Sequence, residues 1–257
     1  MRIALALLAL AAATAAAVDE GAELRFVTCP IYRDTDAGRK SGCWLADDPA
    51  TGVRYDVTSA PTKPDWNHAV LVEGRVAAKG DPCGGRMLEP VRVSPLDEPC
   101  TRFMLEGEGY GGRRFALPTR NVRPLYEERK LPAKPFATRR FVLPFDFNSH
   151  FVTYQLTDYY LDAAITYALD VAPAKVMVTG YAATAPLTAS GRQLAEAAAL
   201  AAERAELVAR ALVMRGVPQD RIVVTTRTAP TPIDDEAFDG LRSPSLRRVE
   251  VTVTPTS

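Results

Sequence analysis

The side chains able to do covalent or metal chemistry are few, and their spacing limits what they can do. The only histidines are His68 and His150, and neither stands at a ligand spacing to any cysteine. No H-E-x-x-H, G-x-S-x-G or phosphate-loop glycine pattern occurs, so the residues point away from an enzyme and imply no cofactor. Asp234-Asp235-Glu236 has the composition of a cation site, but prolines flank it and the plain reading is a solvated acidic loop. His150, beside Asn148 and Ser149, reads as a turn residue. Cys29, Cys43, Cys83 and Cys100 form an even set with no C-x-x-C pair, which fits two disulfides in an oxidising compartment better than zinc. Four cysteines allow three pairings; closing the shortest loops joins Cys29 to Cys43 and Cys83 to Cys100.

Arginine supplies the remaining chemistry. Arg204 lies in the Ala-rich run Glu203-Arg204-Ala205, and Arg247-Arg248 precedes Val249-Glu250-Val251-Thr252-Val253. A guanidinium is a planar fork of donors suited to a carboxylate. Neighbours on a strand alternate faces, so one of Arg247 and Arg248 should face inward and the other solvent.

The elements that carry these residues fall into two halves. Before residue 122, Glu23 to Thr28, Gly52 to Val57, Ala69 to Val76, Met87 to Val93 and Phe115 to Leu117 alternate or run apolar between Gly, Pro and Asp clusters, the signature of short strands. They suggest a small barrel or sandwich, with an OB-like form one option. Trp44 and Trp66 are expected in its core or turns rather than as sugar platforms.

After residue 139 the periods alternate. Arg140 to Phe145 reads as a strand, and Leu156, Tyr160, Ala163, Ala164, Tyr167 and Val171 share a helical face that Pro173 ends. Lys175 to Thr179 is a buried-type strand reaching Gly180. A second helix is expected from a cap at Thr188 or Ser190 to Arg215, with Leu194, Ala197, Ala201, Ala205, Val208 and Leu212 as its stripe. Strands at Arg221 to Thr226 and Val249 to Val253 complete a β-α-β-α-β-β order, an α+β two-layer sandwich.

Met1-Arg2, the apolar run Ile3 to Leu10 and Ala15-Ala16-Ala17 have the layout of a secretory signal peptide over residues 1–17. The run is too short to cross a bilayer, which takes ~20 residues, and no later stretch is long enough. Thirty-one basic and thirty-one acidic side chains argue against a general grip on nucleic acid or anionic membrane. The expected organisation is a signal peptide at 1–17, a disulfide-bonded all-β domain at 18–122, a Pro-containing basic linker at 123–138 and the α+β domain at 139–257.

Phe145-Asp146-Phe147-Asn148-Ser149, the strand into Gly180, Glu203-Arg204-Ala205, Arg215-Gly216-Val217-Pro218 before Arg221-Ile222, and Arg247-Arg248-Val249-Glu250 occur in the order found in the OmpA-like C-terminal domain, which residues 138–254 resemble. The resemblance implies a periplasmic, non-catalytic module of the cell envelope, associated with the wall or outer membrane, that holds the diaminopimelate of peptidoglycan stem peptides between an Asp and an Arg. Arg204 matches that Arg, and Arg247, Arg248, Tyr181 and Thr184 are the other candidate ligand residues. Where the family has Gly-His-Thr-Asp, this chain has Gly180-Tyr181-Ala182-Ala183, so the Asp falls on Ala183. Two outcomes are open: a weakened peptidoglycan pocket, or a dead one on a structural or assembly factor that binds envelope proteins, with Arg204 paired to a neighbour such as Glu203 or Glu206.

Overall fold

A computed structural model describes residues 19–36, 42–78, 80–107, 109–113 and 130–256. The expected signal peptide, residues 123–129 of the linker and the strand expected at Phe115 to Leu117 lie outside them. No helix among the described residues is long and apolar enough to cross a membrane.

Among the described residues the N-terminal half is all β. Its strands are β1 (Glu23–Thr28), β2 (Pro30–Arg33), β3 (Cys43–Asp47), β4 (Arg54–Asp56), β5 (His68–Val76), β6 (Arg86–Pro99) and β7 (Phe103–Leu105). They form one sheet in the order β1-β5-β6-β4-β3-β2-β7. Strands β1 and β2 are parted only by Cys29, so one bent strand pairs with β5 through its first part and with β3 through its second, and the order returns on itself as in the OB-like option, with β4 and β6 parallel. Phe26, Tyr55, Val70, Val72, Leu88 and Val93 fill its core. Trp44 and Trp66 pack against Tyr32 in a three-ring cluster with centroids 4.8–5.2 Å apart.

Both disulfides differ from the shortest-loop pairing: Cys29 joins Cys100 and Cys43 joins Cys83. Strand register explains the first. Thr28 of β1 lies opposite Val70, and Pro99 of β6 lies opposite His68, so the next residues, Cys29 and Cys100, emerge on either side of the start of β5. Loop length counts only in the unfolded chain; the sheet sets who meets whom.

The C-terminal half follows the expected order with one insertion. Strand β8 (Arg139–Pro144) leads to helix α1 (Thr157–Val171), strand β9 (Pro173–Ala182), a hairpin of β10 (Leu187–Ala189) and β11 (Arg192–Leu194), helix α2 (Ala199–Met214), and strands β12 (Ile222–Thr228) and β13 (Arg248–Pro255). The sheet order is β12-β9-β13-β8, with β12 parallel to β9 and β13 antiparallel to both its neighbours. Val176, Val178, Val249 and Val251 meet Ala164, Ala168, Ala205 and Val208 of the helices in one core. Gly180 permits the closest approach: a Cβ there would lie 1.9 Å from the Ala201 carbonyl oxygen.

Helix α2 therefore begins at Ala199, not at Thr188 or Ser190. Ser190 and Gly191 both have positive φ, 48° and 71°, the geometry of a two-residue hairpin turn between β10 and β11. The Ser190 hydroxyl is drawn to β1, where it takes the Val27 N–H at 2.9 Å instead of capping a helix.

The Cys29–Cys100 bridge closes a separation of 71 residues. Replacing both cysteines by Ser should lower unfolding stability by about 4 kcal/mol on loop entropy alone, and a change below about 1 kcal/mol in a denaturant titration would contradict that role.

Candidate functional site

Arg204 sits on the buried face of α2, one turn before Val208, and is fully buried. Every one of its five N–H groups is engaged. Nε donates to the Ser149 carbonyl at 2.8 Å, Nη1 to the Tyr181 carbonyl at 2.9 Å, and Nη2 to the Asp146 carbonyl at 3.1 Å. The remaining two go to Glu196: Nη1 to Oε2 at 2.9 Å and Nη2 to Oε1 at 2.5 Å. This is a bidentate fork on a carboxylate supplied by the chain itself.

Glu196 is equally occupied. Its Oε1 accepts the Asn148 N–H at 2.9 Å and its Oε2 accepts the Ala183 N–H at 2.8 Å. A carboxylate thus stands at Ala183 after all, brought from 13 residues downstream by the hairpin. Burial pushes the Glu196 carboxyl up, but Arg204, with Arg247 and the Ala183 N–H, outweighs it and holds the group below its ordinary value. Glu203 turns away to His150 at 3.3 Å, and Glu206 to Arg210 at 3.9 Å, so neither expected neighbour is the partner.

Above this pair lies the N-terminal sheet. Arg247 is 1% exposed and reaches across to Glu73 of β5, which is buried with it. Burial works against the charge of Arg247, but Glu73, with Glu196 and Asp146 behind it, keeps the guanidinium protonated. Around it, Arg92 of β6 pairs with Asp239 at 2.7 Å, the Ser94 hydroxyl takes the Phe147 N–H at 2.8 Å, and the Thr62 hydroxyl donates to Asp146 at 2.5 Å. Val27, Ala69 and Leu71 meet Phe147, Leu187 and Ala189 in an apolar cluster between the halves. Burial raises the Asp146 carboxyl despite hydroxyls from Thr62 and Thr153, so this interface charge is held at a cost.

The five candidate ligand residues do not converge on one open pocket. Val249 and Val251 enter the helix-side core, which leaves Arg248 and Glu250 on the opposite sheet face. There Arg248 stacks 4.0 Å over the Tyr181 ring, with Nε bonded to Glu250 at 2.7 Å and Nη1 to the Ser245 carbonyl at 2.7 Å. Both Arg247 and Arg248 are buried, against the expectation that one faces solvent, because β5 covers the first and the segment from Thr231 to Ser245 folds over the second. Thr184 is half-buried in the turn after β9. An apolar groove of about 440 Å³ opens between the 148–152 loop and Leu207, beside Arg204 but not reaching its buried guanidinium. Among the described residues no cluster of three or more His, Cys, Asp or Glu could hold a metal; Asp235 instead accepts the Ala237 N–H at 3.1 Å.

Apart from the β10-β11 hairpin, the order of elements is the one the sequence resemblance implies. Residues 151–243 match the model of the OmpA family. The C-terminal half is an OmpA-like domain. No curated protein matches the chain. Among solved structures, the OmpA-like domain of a Francisella tularensis protein aligns at 18% identity and a TM-score of 0.36, over 47% of this chain and 75% of that one. The cell wall anchor of the type VI secretion system of Pseudomonas aeruginosa aligns at 22% identity and a TM-score of 0.36, over 46% and 82%. The peptidoglycan-associated lipoprotein of Burkholderia pseudomallei aligns at 23% identity and a TM-score of 0.34, over 44% and 90%.

The residue that sequence reasoning missed is Glu196. It lies in Leu194-Ala195-Glu196-Ala197-Ala198-Ala199, which reads as helix, and only the three-dimensional pairing gives it a role.

Glu196→Gln leaves the Arg204 charge buried without a counter-ion, and such a break costs about 3–5 kcal/mol. Since folded Glu196 titrates below its unfolded value, the wild-type advantage should be complete above the ordinary carboxylate range and fade as pH falls through the lowered folded value. Urea midpoints of the two proteins that coincide at neutral pH would contradict this.

Proposed function

We propose that this is an exported, non-catalytic protein of the cell envelope in which the OmpA-like domain serves as a structural and assembly module and does not hold peptidoglycan through Arg204. The observation that carries this reading is the Glu196 carboxylate seated on the Arg204 fork. A stem-peptide carboxylate would have to displace that group, and a buried carboxylate released without a partner is costly. Docking of β5 and β6 over the same end of the domain supports the reading, because it makes the pocket region an internal joint. The proposed parts are a signal peptide at 1–17, a β domain at 18–122, a linker at 123–138 and the OmpA-like domain at 139–257, with the mature protein in the periplasm.

Purified sacculi provide the test. The mature wild-type protein should remain in the supernatant when sacculi are sedimented, as should Arg204→Lys, which keeps the charge but loses the fork. Sedimentation of wild type that a free diaminopimelate-containing stem peptide competes away, and that Arg204→Lys lacks, would overturn the proposal in favour of a peptidoglycan-binding module. Export carries its own expectation: the intact mass of the mature protein should fit a start near Val18 and no free thiol.

A further inference from the structure

Strand β12 is an edge left without the usual protection. It is one end of the four-stranded sheet, and six of its seven residues are exposed, with only Ile222 half-buried. Native edges are commonly blunted by short length, by Pro, by inward charges or by bulges. Ile222-Val223-Val224-Thr225-Thr226-Arg227-Thr228 has no Pro or Gly, a single charge and six β-branched residues, and its register with β9 runs unbroken from Ile222 to Thr228. Among the described residues no strand pairs with its outer side.

We propose that β12 pairs antiparallel with β12 of a second copy, on a two-fold axis perpendicular to the sheet at Thr225, to give an eight-stranded sheet across a homodimer. Such an axis keeps each residue on its own face, so only registers that oppose residues of the same face are open. Centred on Thr225, Val224 faces Thr226 of the second copy, Val223 faces Arg227 and Ile222 faces Thr228. Charges then lie opposite neutral side chains. Centred one residue earlier, Arg221 would face Arg227 of the second copy, a like-charge opposition that disfavours that register.

Helix α2 adds a complementary flank. Its Leu207 side lines the groove with residues 148–152, which leaves Ala202, Glu206, Ala209 and Val213 on the other side, towards β12. Small residues there allow the two α2 helices to run antiparallel close together across the junction. The exposed Glu206 and Arg210 of each then meet Arg210 and Glu206 of the other. A closed two-fold pairing also consumes both edges at once and leaves nothing to propagate. This dimer uses neither Arg204 nor the interface between the two halves, so it stands apart from the reading of the pocket.

Sedimentation equilibrium and oxidative cross-linking of the full mature chain test it. Wild type should be a dimer. Thr225→Lys, which sets two ammonium groups opposite each other at the axis, should be a monomer that still melts cooperatively, at a midpoint that no longer depends on protein concentration. Thr225→Cys should cross-link to a covalent dimer, because opposed Cα atoms on an antiparallel pair are about 4.5–5.5 Å apart, within the span of a disulfide. Val223→Cys and Arg227→Cys should not, since four residues of offset separate each from its own copy by about 13 Å. A monomeric wild type, a dimer that survives Thr225→Lys, or cross-linking at 223 and 227 equal to that at 225 would each overturn the proposal, whether or not the strand takes up some other peptide.

Discussion

The buried fork of Arg204 on Glu196 is the constraint around which the C-terminal half closes. Two desolvated charges this deep add little net stability, because the Coulombic gain is spent on desolvation. Their effect is positional. Arg204 ties α2 to the Asp146-to-Ser149 turn and to the end of β9, while Glu196 ties the exit of the hairpin to Asn148 and Ala183. Three loops that would otherwise be independent are thereby held at one point. Removing either partner leaves the other as an uncompensated interior charge, so the arrangement is all or none.

The second constraint is the joint between the halves. Arg247, Arg92 and Ser94 reach from one side to the other, and the polar groups they use sit around the apolar contact of Val27 and Leu71 with Phe147. Because Asp146 and Glu196 both act on Arg247, the joint and the fork share one electrostatic field. A change in the β domain therefore reaches the OmpA-like domain through charge as well as contact. The elevated Asp146 marks the weak point of this field: its ionised form is disfavoured by burial, and the stability it contributes is present at low pH and lost as pH rises through its raised folded value.

Much of the fold was legible because alternation and helical stripes report directly on burial. Strands β5, β8, β12 and β13 and helix α1 fall where the apolar periods put them, and Gly180 marks the close approach to α2. What could not be read has physical causes. Residues 187–198 have helix-forming composition, yet Ser190 bonds to β1 and Glu196 to Arg204, so tertiary partners override propensity. Glu73, Arg92 and Ser94 look like the solvated face of ordinary strands until the other half covers them. The cysteine pairing followed the order of strands in space, which separation in sequence does not encode. Arg204 was legible as a residue of interest but not as a sealed one, because its partner lies in a segment with no motif of its own.

Solvent exchange of the Arg204 Nε–H, followed by NMR in the full mature chain, tests the central claim most directly. A guanidinium with every N–H engaged and no exposed surface should exchange far more slowly than the surface arginines Arg210 and Arg215, and its resonance should not move when a diaminopimelate-containing stem peptide is added. Exchange at the rate of those surface arginines, or a saturable shift on adding the peptide, would show that the fork opens to ligand and would contradict the account.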